Sequence, residues 1–498
     1  MASPLPKTKA PAFKKNQNTE VTVPAEGVPA SPLRRPGPKS AAFAGLAGNF
    51  GGAFTNTYDV LDRLLAQSGS LGTVSYRYDA IGRRTSMDIP GAAITTYGYD
   101  ADSRLIQIVQ GTQLVAFEYD DAGRRTRLTL PNGVSTEYQY DSVSRLTGLI
   151  YRNADGVLGN LTYQYDAAGR RAQVGGSFAR TLLPDPVASA TYDAANRQRA
   201  FGDMQIAFDV NGNVTTITTF TGTTRFTCDA RNRLVGVDAP GTRATFAYAF
   251  GRRIGKVVND VPTHFLYDGS EIVQQLDAQG PTSYLRTLTT DETVGLSHPE
   301  GTFFLIADAL KSVVAATDAS GTVVNTYSYE PFGSTSLTNP SIANPFQFTG
   351  RENEGLAGLY YYRARYYGPS IARFLSEDPI RGWYGQANFY AYVRNSPTNY
   401  VDPFGLDSST KPPDRNDPDY YDPCDTLSKE ACPMNCDTNF TEGSTSWWIC
   451  RTEDCPRELQ LCRELNPPRR RPRPECAQVL KICPDCPRDL QLCPPPRG

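Results

Sequence analysis

The sequence predicts a mainly β protein, a stack of short antiparallel hairpins followed by a small cysteine-rich module. Three observations carry that prediction. An aromatic-Asp motif recurs about every 20 residues. Aromatic and β-branched residues alternate in front of each Asp. The composition breaks at Leu406: one cysteine, Cys228, precedes it, and ten follow in 92 residues.

The first segment, 1–54, opens with a Pro-, Lys- and Ala-rich stretch to about residue 40, too polar to fold alone and expected to be disordered. It has lysines but no apolar stretch behind them, so Sec-type export is unsupported. The AAFAGLAGNFGGAF that follows is apolar but broken by glycines, and reads as a packed plug or strand lead. No run of about 18 apolar residues occurs, which argues against a transmembrane helix. A net charge of −2 over 498 residues provides no general attraction for nucleic acid or an anionic membrane.

The second segment, 55–300, holds the repeats. The pattern aromatic-Asp-x-x-(Gly/Ser/Asn/Asp)-Arg begins at Tyr58-Asp59, Tyr78-Asp79, Tyr99-Asp100, Tyr119-Asp120, Tyr140-Asp141 and Tyr165-Asp166. Weaker copies follow at Tyr192-Asp193, Phe208-Asp209 and Cys228-Asp229, and a decayed one without the Asp at Tyr248. Alternation such as Val74, Tyr76, Tyr78 marks a half-buried strand. The Asp can accept backbone N–H bonds and close a turn, and the fifth position tolerates left-handed geometry. Each unit is therefore a hairpin too small to bury its own face, stabilised by its neighbours, with tyrosines stacking across strands. The recurring Asp and Arg look like a charged site, but at fixed turn positions they read as structural.

These repeats resemble the tyrosine-aspartate (YD) repeats of the Rhs family, shared by bacterial polymorphic toxins, the C components of insecticidal toxin complexes and teneurins. The third segment, 301–406, extends the likeness. DALKSVVAATDASGTVVNTYSYEPFG at 308–333 and FTGRENEGLAGLYYYRARYYGPSIARFLSEDPI at 348–380, running on to DPFGL at 402–406, are similar to the Rhs repeat-associated core domain. The resemblance covers about residues 55–406. It implies a spiral of hairpins wound into a hollow shell and closed by the core domain. The array is short for the family, so an open or partial shell is expected.

The resemblance also implies an intramolecular aspartic protease that cuts after the Leu of Asp-Pro-x-Gly-Leu. Here that motif is Asp402 to Leu406, the scissile bond is Leu406–Asp407, the second carboxylate is Asp378 of SEDPI, and Arg373 is the charge partner. Two adjacent carboxylates can divide the work, one as acid and one as base, with an arginine to steady the charge. The competing reading is that Asp378-Pro379 and Asp402-Pro403 are two turns. His264 and His298 lie outside the matched core and read as surface or packing residues.

In the last segment, 407–498, Leu, Ile, Val and Phe number 11 and Pro 15. So small a core needs cross-links or metal. Cys424, Cys432, Cys436, Cys450, Cys455, Cys462, Cys476, Cys483, Cys486 and Cys493 could supply either. CPRELQLC at 455–462 and CPRDLQLC at 486–493 are near copies, with CAQVLKIC at 476–483 a looser third. Disulfides are favoured over zinc, because only Cys483 and Cys486 have the tight spacing and no histidine is present. No cofactor is otherwise expected. Arg469, Arg470, Arg471 and Arg473 sit in a tail with 13 basic and 16 acidic side chains, a solvated linker rather than a specific nucleic-acid signal.

In the family this position holds a variable effector, but the tail lacks the deaminase signature and the histidines of metal-dependent nucleases. A stapled binding or membrane-active peptide, or a degenerate remnant, fits it equally. The leading expectation is a scaffold that presents and releases this module in competition between bacteria, exported by a specialised non-Sec route. An immunity protein and a secretion-apparatus or adaptor protein would be its partners. The alternatives are a non-catalytic surface protein for adhesion or carbohydrate contact, and a truncated toxin remnant.

Overall fold

The computed structural model describes residues 39–43 and 52–406, apart from 70, 180–181, 250, 339–340 and 381–387. The remainder of the lead-in, Asp407 and the ten tail cysteines lie outside the described residues. Among those described, strands follow one another in sequence order as antiparallel neighbours in two large sheets. The first has 13 strands, from Lys39–Phe43 to Arg171–Gly175. The second has 16, from Ala190–Tyr192 to Thr335–Thr338, and crosses residue 300 without interruption. A third sheet comprises four short strands, Glu352–Asn353, Tyr360–Tyr362, Arg365–Gly368 and Arg373–Phe374. No described helix is long and apolar enough to cross a membrane.

Each repeat turn is built the same way. Asp79 Oδ1 accepts the backbone N–H groups of Ile81 and Arg83 at 3.1 and 2.9 Å, and Oδ2 accepts Arg83 Nε at 2.7 Å. The same three bonds recur at Asp59, Asp100, Asp120, Asp141 and Asp166. The fifth residue carries a positive φ whatever its type, as at Asp62 (58°), Gly82 (90°), Ser103 (65°) and Asn232 (60°). The register slips by one residue at the aromatic in front of the Asp, which lets the turn close. The charged residues of the repeat are thus turn formers.

Neighbouring units are linked through that same arginine. Arg83 lies 4.7 Å from the centroid of the Tyr99 ring, Arg124 4.9 Å from Tyr140, and Arg145 4.9 Å from Tyr165. A guanidinium over a ring contributes about 0.5–1 kcal/mol where half exposed. The tyrosine hydroxyl then donates to the carbonyl just past that arginine, as Tyr99 does to Arg84 at 2.8 Å and Tyr119 to Leu105 at 2.8 Å. Alternation alone pointed to tyrosine stacking and did not reveal this arginine link.

The turn also persists where its signature is lost. Asp308 Oδ1 accepts from Leu310 and Ser312 at 2.8 Å each, and Asp318 Oδ1 accepts from Ser320 and Thr322 at 2.9 and 3.0 Å. Lys311 and Gly321 take the left-handed position. Ser or Thr replaces the arginine there, which hides these repeats from a motif search.

The second sheet comes back over the first, at several contacts after the same interval. Arg84 pairs with Asp268, Gln113 Nε2 bonds Ser297 Oγ, and Gln274 Nε2 bonds Pro90 O, each across 184 residues. Asn132 meets Thr317 across 185. One core fills the space between these strands, with Val74, Ile108, Val115, Phe117 and Leu149 from the first sheet and Val273, Leu285 and Ile306 from the second. Residues on the other face of the second sheet, including Phe265, Tyr284 and Leu305, pack in a separate core with Phe346.

The ion pairs across this interface make a pH-dependent contribution. Arg125 Nη1 and Nη2 meet the two Glu292 oxygens at 2.7 and 3.3 Å. Burial alone would raise the Glu292 carboxyl, but Arg125 and Lys311 more than offset it and hold it at about 2 against an ordinary 4.5. A depressed folded-state pKa stabilises above the unfolded value, and that stability is lost as pH falls towards the folded value. The acid-induced loss of stability between pH 4.5 and about 2 should therefore be smaller in Glu292→Gln, by roughly 3 kcal/mol. Thermal unfolding at a series of pH values tests this, and an unchanged slope would refute it. Asp308 acts in the opposite sense: burial pushes its carboxyl up to about 6, so its stabilising contribution is lost as pH rises through that value.

Candidate active site

The third sheet brings the DPFGL turn against the hairpin of Tyr360–Tyr362 and Arg365–Gly368. Three successive carbonyls of the turn are held by three successive residues of that hairpin. Pro403 O accepts from Arg363 Nη1, Phe404 O from the Ala364 backbone N–H at 3.2 Å, and Gly405 O from Arg365 Nε. The next carbonyl along, that of Leu406, belongs to the bond with Asp407. Gly405 is required here: its φ is +69°, and a Cβ would sit 2.4 Å from Tyr362 O.

Asp378 and Asp402 come together on one guanidinium. Arg365 Nη2 lies 3.1 Å from Asp378 Oδ2 and 3.6 Å from Asp402 Oδ2. Its Nη1 donates to Phe389 O at 2.9 Å, and its Cζ sits over the Phe374 ring at 3.7 Å from the centroid. The Arg365 and Asp402 side chains are each 3% exposed and that of Asp378 18%, so Asp378 is the more exposed member of the pair. Asp378 Oδ1 accepts the Ile380 N–H at 2.9 Å, and Asp402 Oδ1 accepts the Leu406 N–H at 3.0 Å. Asp402 thereby touches the residue whose carbonyl forms the expected scissile bond.

Arg373, the charge partner that the resemblance implied, has its described contacts elsewhere. Its Nη1 donates to Asn395 Oδ1 at 2.7 Å, and its guanidinium stands 6.0 Å from the Tyr192 ring. The strand pairing of Tyr367 with Phe374 and Gly368 with Arg373 sets this arrangement, with Arg365 at the other end of its strand. Arg365 and Arg363 were missed by sequence reading. The available signal was that both interrupt the aromatic run from Tyr360 to Tyr367, where a buried charge requires a partner.

Behind the pair lies an aromatic cluster of Tyr362, Tyr367, Phe374 and Tyr392. Tyr362 donates to Tyr392 at 3.1 Å. Burial pushes the Tyr392 phenol up, and the Asp402 carboxylate adds to that. His264 and His298 belong to strands of the second sheet, Val261–Asp268 and Thr293–His298. Cys228 is half-buried, and burial together with the carboxylates of Asp209 and Asp229 pushes its thiol up to about 12. Alkylation of Cys228 at pH 8 should consequently be at least roughly tenfold slower in the native chain than in the unfolded one, measured by peptide mass spectrometry. Equal rates would contradict this.

The family model for the teneurin YD-shell matches residues 55–173 and 134–397. The chain is 31% identical over 388 residues to the tRNA nuclease WapA of Bacillus subtilis (strain 168), covering 74% of this chain and 16% of that protein. It is 28% identical over 313 residues to the double-stranded DNA deaminase toxin A of Burkholderia cenocepacia (strain H111), covering 53% and 22%. Among solved structures, the pore form of the Photorhabdus luminescens Tc holotoxin superposes with a TM-score of 0.52 at 18% identity, over 71% of this chain and 23% of that one. That likeness is one of fold. The chain spans 16% and 22% of the two curated relatives' length. With the repeat geometry, the sequential sheets and this match to more than half of its length, the chain belongs to the teneurin YD-shell family, as a YD-repeat protein of Rhs type.

Proposed function

We propose that residues 55–406 form a scaffold that presents the module at 407–498 and releases it by hydrolysing the Leu406–Asp407 bond. The observation that carries this reading is the meeting of Asp378 and Asp402 on Arg365 beside a turn whose carbonyls at 403, 404 and 405 are individually held. Such clamping supplies the fixed geometry that converts a slow bimolecular hydrolysis into an effectively unimolecular one. Water attacks the Leu406 carbonyl carbon while one carboxylate takes its proton. The other delivers a proton to the departing Asp407 nitrogen, and the C–N bond breaks. Arg365 keeps one member of the pair ionised beside the other and limits the cost of their proximity. The products are a Leu406 carboxylate and an Asp407 amine.

The two curated relatives described above are named for different activities, one a nuclease and the other a deaminase. Different activities in proteins that share this YD-repeat similarity favour a scaffold serving interchangeable effectors. On this reading the protein acts between competing bacteria and leaves the cell by a specialised route. It is accompanied by an adaptor and by a small protein that neutralises the module. The ten cysteines of the tail would staple that module by disulfides, with zinc the alternative.

Expression of the full chain tests the proposal. Fragments of 406 and 92 residues should appear, with the smaller one beginning at Asp407 by terminal sequencing. A chain that stays whole after purification and incubation, or a new terminus elsewhere, would overturn it.

A further inference from the structure

We infer that Arg363 is a positioning residue that makes release conditional on the folded array, because it ties the Pro403 carbonyl to acids of the second sheet. This inference rests on the self-cleavage proposed above. All five N–H donors of the Arg363 guanidinium have acceptors. Nε donates to Ser270 O at 3.3 Å. Nη1 donates to Pro403 O and to Asp291 Oδ2, the latter at 3.4 Å, and Nη2 donates to Asp291 Oδ1 at 2.7 Å and to Glu271 Oε1. The guanidinium also faces the Phe404 ring at 5.1 Å.

Arg363 sits at the tip of the hairpin with φ +58°, a strained position for a side chain of this size. Glu271 begins one strand of the second sheet and Asp291 precedes another. They lie 92 and 72 residues upstream of Arg363, so the anchor exists only once those hairpins have closed. Burial would raise the Glu271 carboxyl, but Arg363 and Arg286 more than offset it and keep it ionised, at about 2. Arg363 therefore acts through the backbone of the cleavage turn, whereas Arg365 meets the carboxylate pair itself. A lysine at 363 would keep the charge but has three donors on one nitrogen, and cannot span both acids and the carbonyl together.

The test is the rate of tail release from the full chain after pulsed cell-free synthesis, for the parent, Arg363→Lys, Glu271→Gln and Asp402→Asn. Arg363→Lys should release the tail roughly 10²-fold more slowly, the loss expected when a reacting group is misplaced by about 1 Å. The shape of its pH–rate profile should match the parent's, and the cut should remain between 406 and 407. Release at the parent's rate, or a displaced pH profile, would overturn the inference. Should Arg363→Lys fail to fold, Glu271→Gln decides: slowing by roughly tenfold supports the anchor, and a parental rate refutes it. Release by Asp402→Asn would instead refute the self-cleavage on which the inference rests. An intact Asp402→Asn chain beside a fully active Arg363→Lys chain would refute the positioning role alone.

Discussion

Asp402→Asn should leave the chain at its full 498 residues under conditions where the parent yields its two fragments. The substitution is nearly isosteric, and the amide oxygen can still accept the Leu406 N–H that Asp402 Oδ1 accepts at 3.0 Å. What is lost is the ability to exchange a proton, which is worth roughly 10²–10⁴ in rate for a positioned acid or base. Asp378→Asn should behave in the same way, since its Oδ2 shares Nη2 of Arg365 with Asp402. The readout is a gel time course backed by a melting curve, so that a folded but uncut variant is distinguished from a misfolded one. Parental cleavage by a folded Asp402→Asn chain would leave the pair as two turn residues. In the parent, cleavage should fall at both pH extremes, with two apparent pKa values belonging to the pair rather than to either acid.

The largest effect on stability should come from Arg253→Met. This side chain is fully buried, with Nη1 and Nη2 paired to Glu354 and Glu352 and its guanidinium 4.3 Å from the Tyr361 ring centroid. Removing it strands Glu352 without its closest cation and leaves Glu354 to Lys256, at 2.9 Å. Breaking a buried pair by deleting one partner typically costs about 3–5 kcal/mol, because the remaining charge stays buried. Urea unfolding should show a loss of that order. Combining Arg253→Met with Glu352→Gln and Glu354→Gln should recover most of it, since removing the charges together avoids the uncompensated burial. A single variant as stable as the parent would mean that the acids escape to solvent or take up protons at little cost.

Much of the fold was legible because each repeat carries its own instructions. Asp79, Gly82 and Arg83 form their turn from bonds spanning two to four residues, and Val74 and Tyr76 mark the buried face. The site was legible only in part. DPFGL and SEDPI drew attention to Asp402 and Asp378 through family likeness, and the arginine chosen for them was the one nearer in sequence. Arg373 is five residues from Asp378 and Arg365 is 13 away. Strand pairing between Arg365–Gly368 and Arg373–Phe374 reversed that order in space.

The sequence by itself determined the hairpin, its length and the residue types at its turn, because those depend on hydrogen bonds within a few residues and on the two-residue period of a strand. Only the tertiary structure decided that the chain returns over itself, so that Arg84 meets Asp268 across 184 residues and Arg125 meets Glu292 across 167. It also decided that Arg363 and Arg365, rather than Arg373, hold the carbonyls of the DPFGL turn. Those partners are chosen by the accumulated twist and curvature of many strands, to which each repeat adds a small increment that no single one encodes.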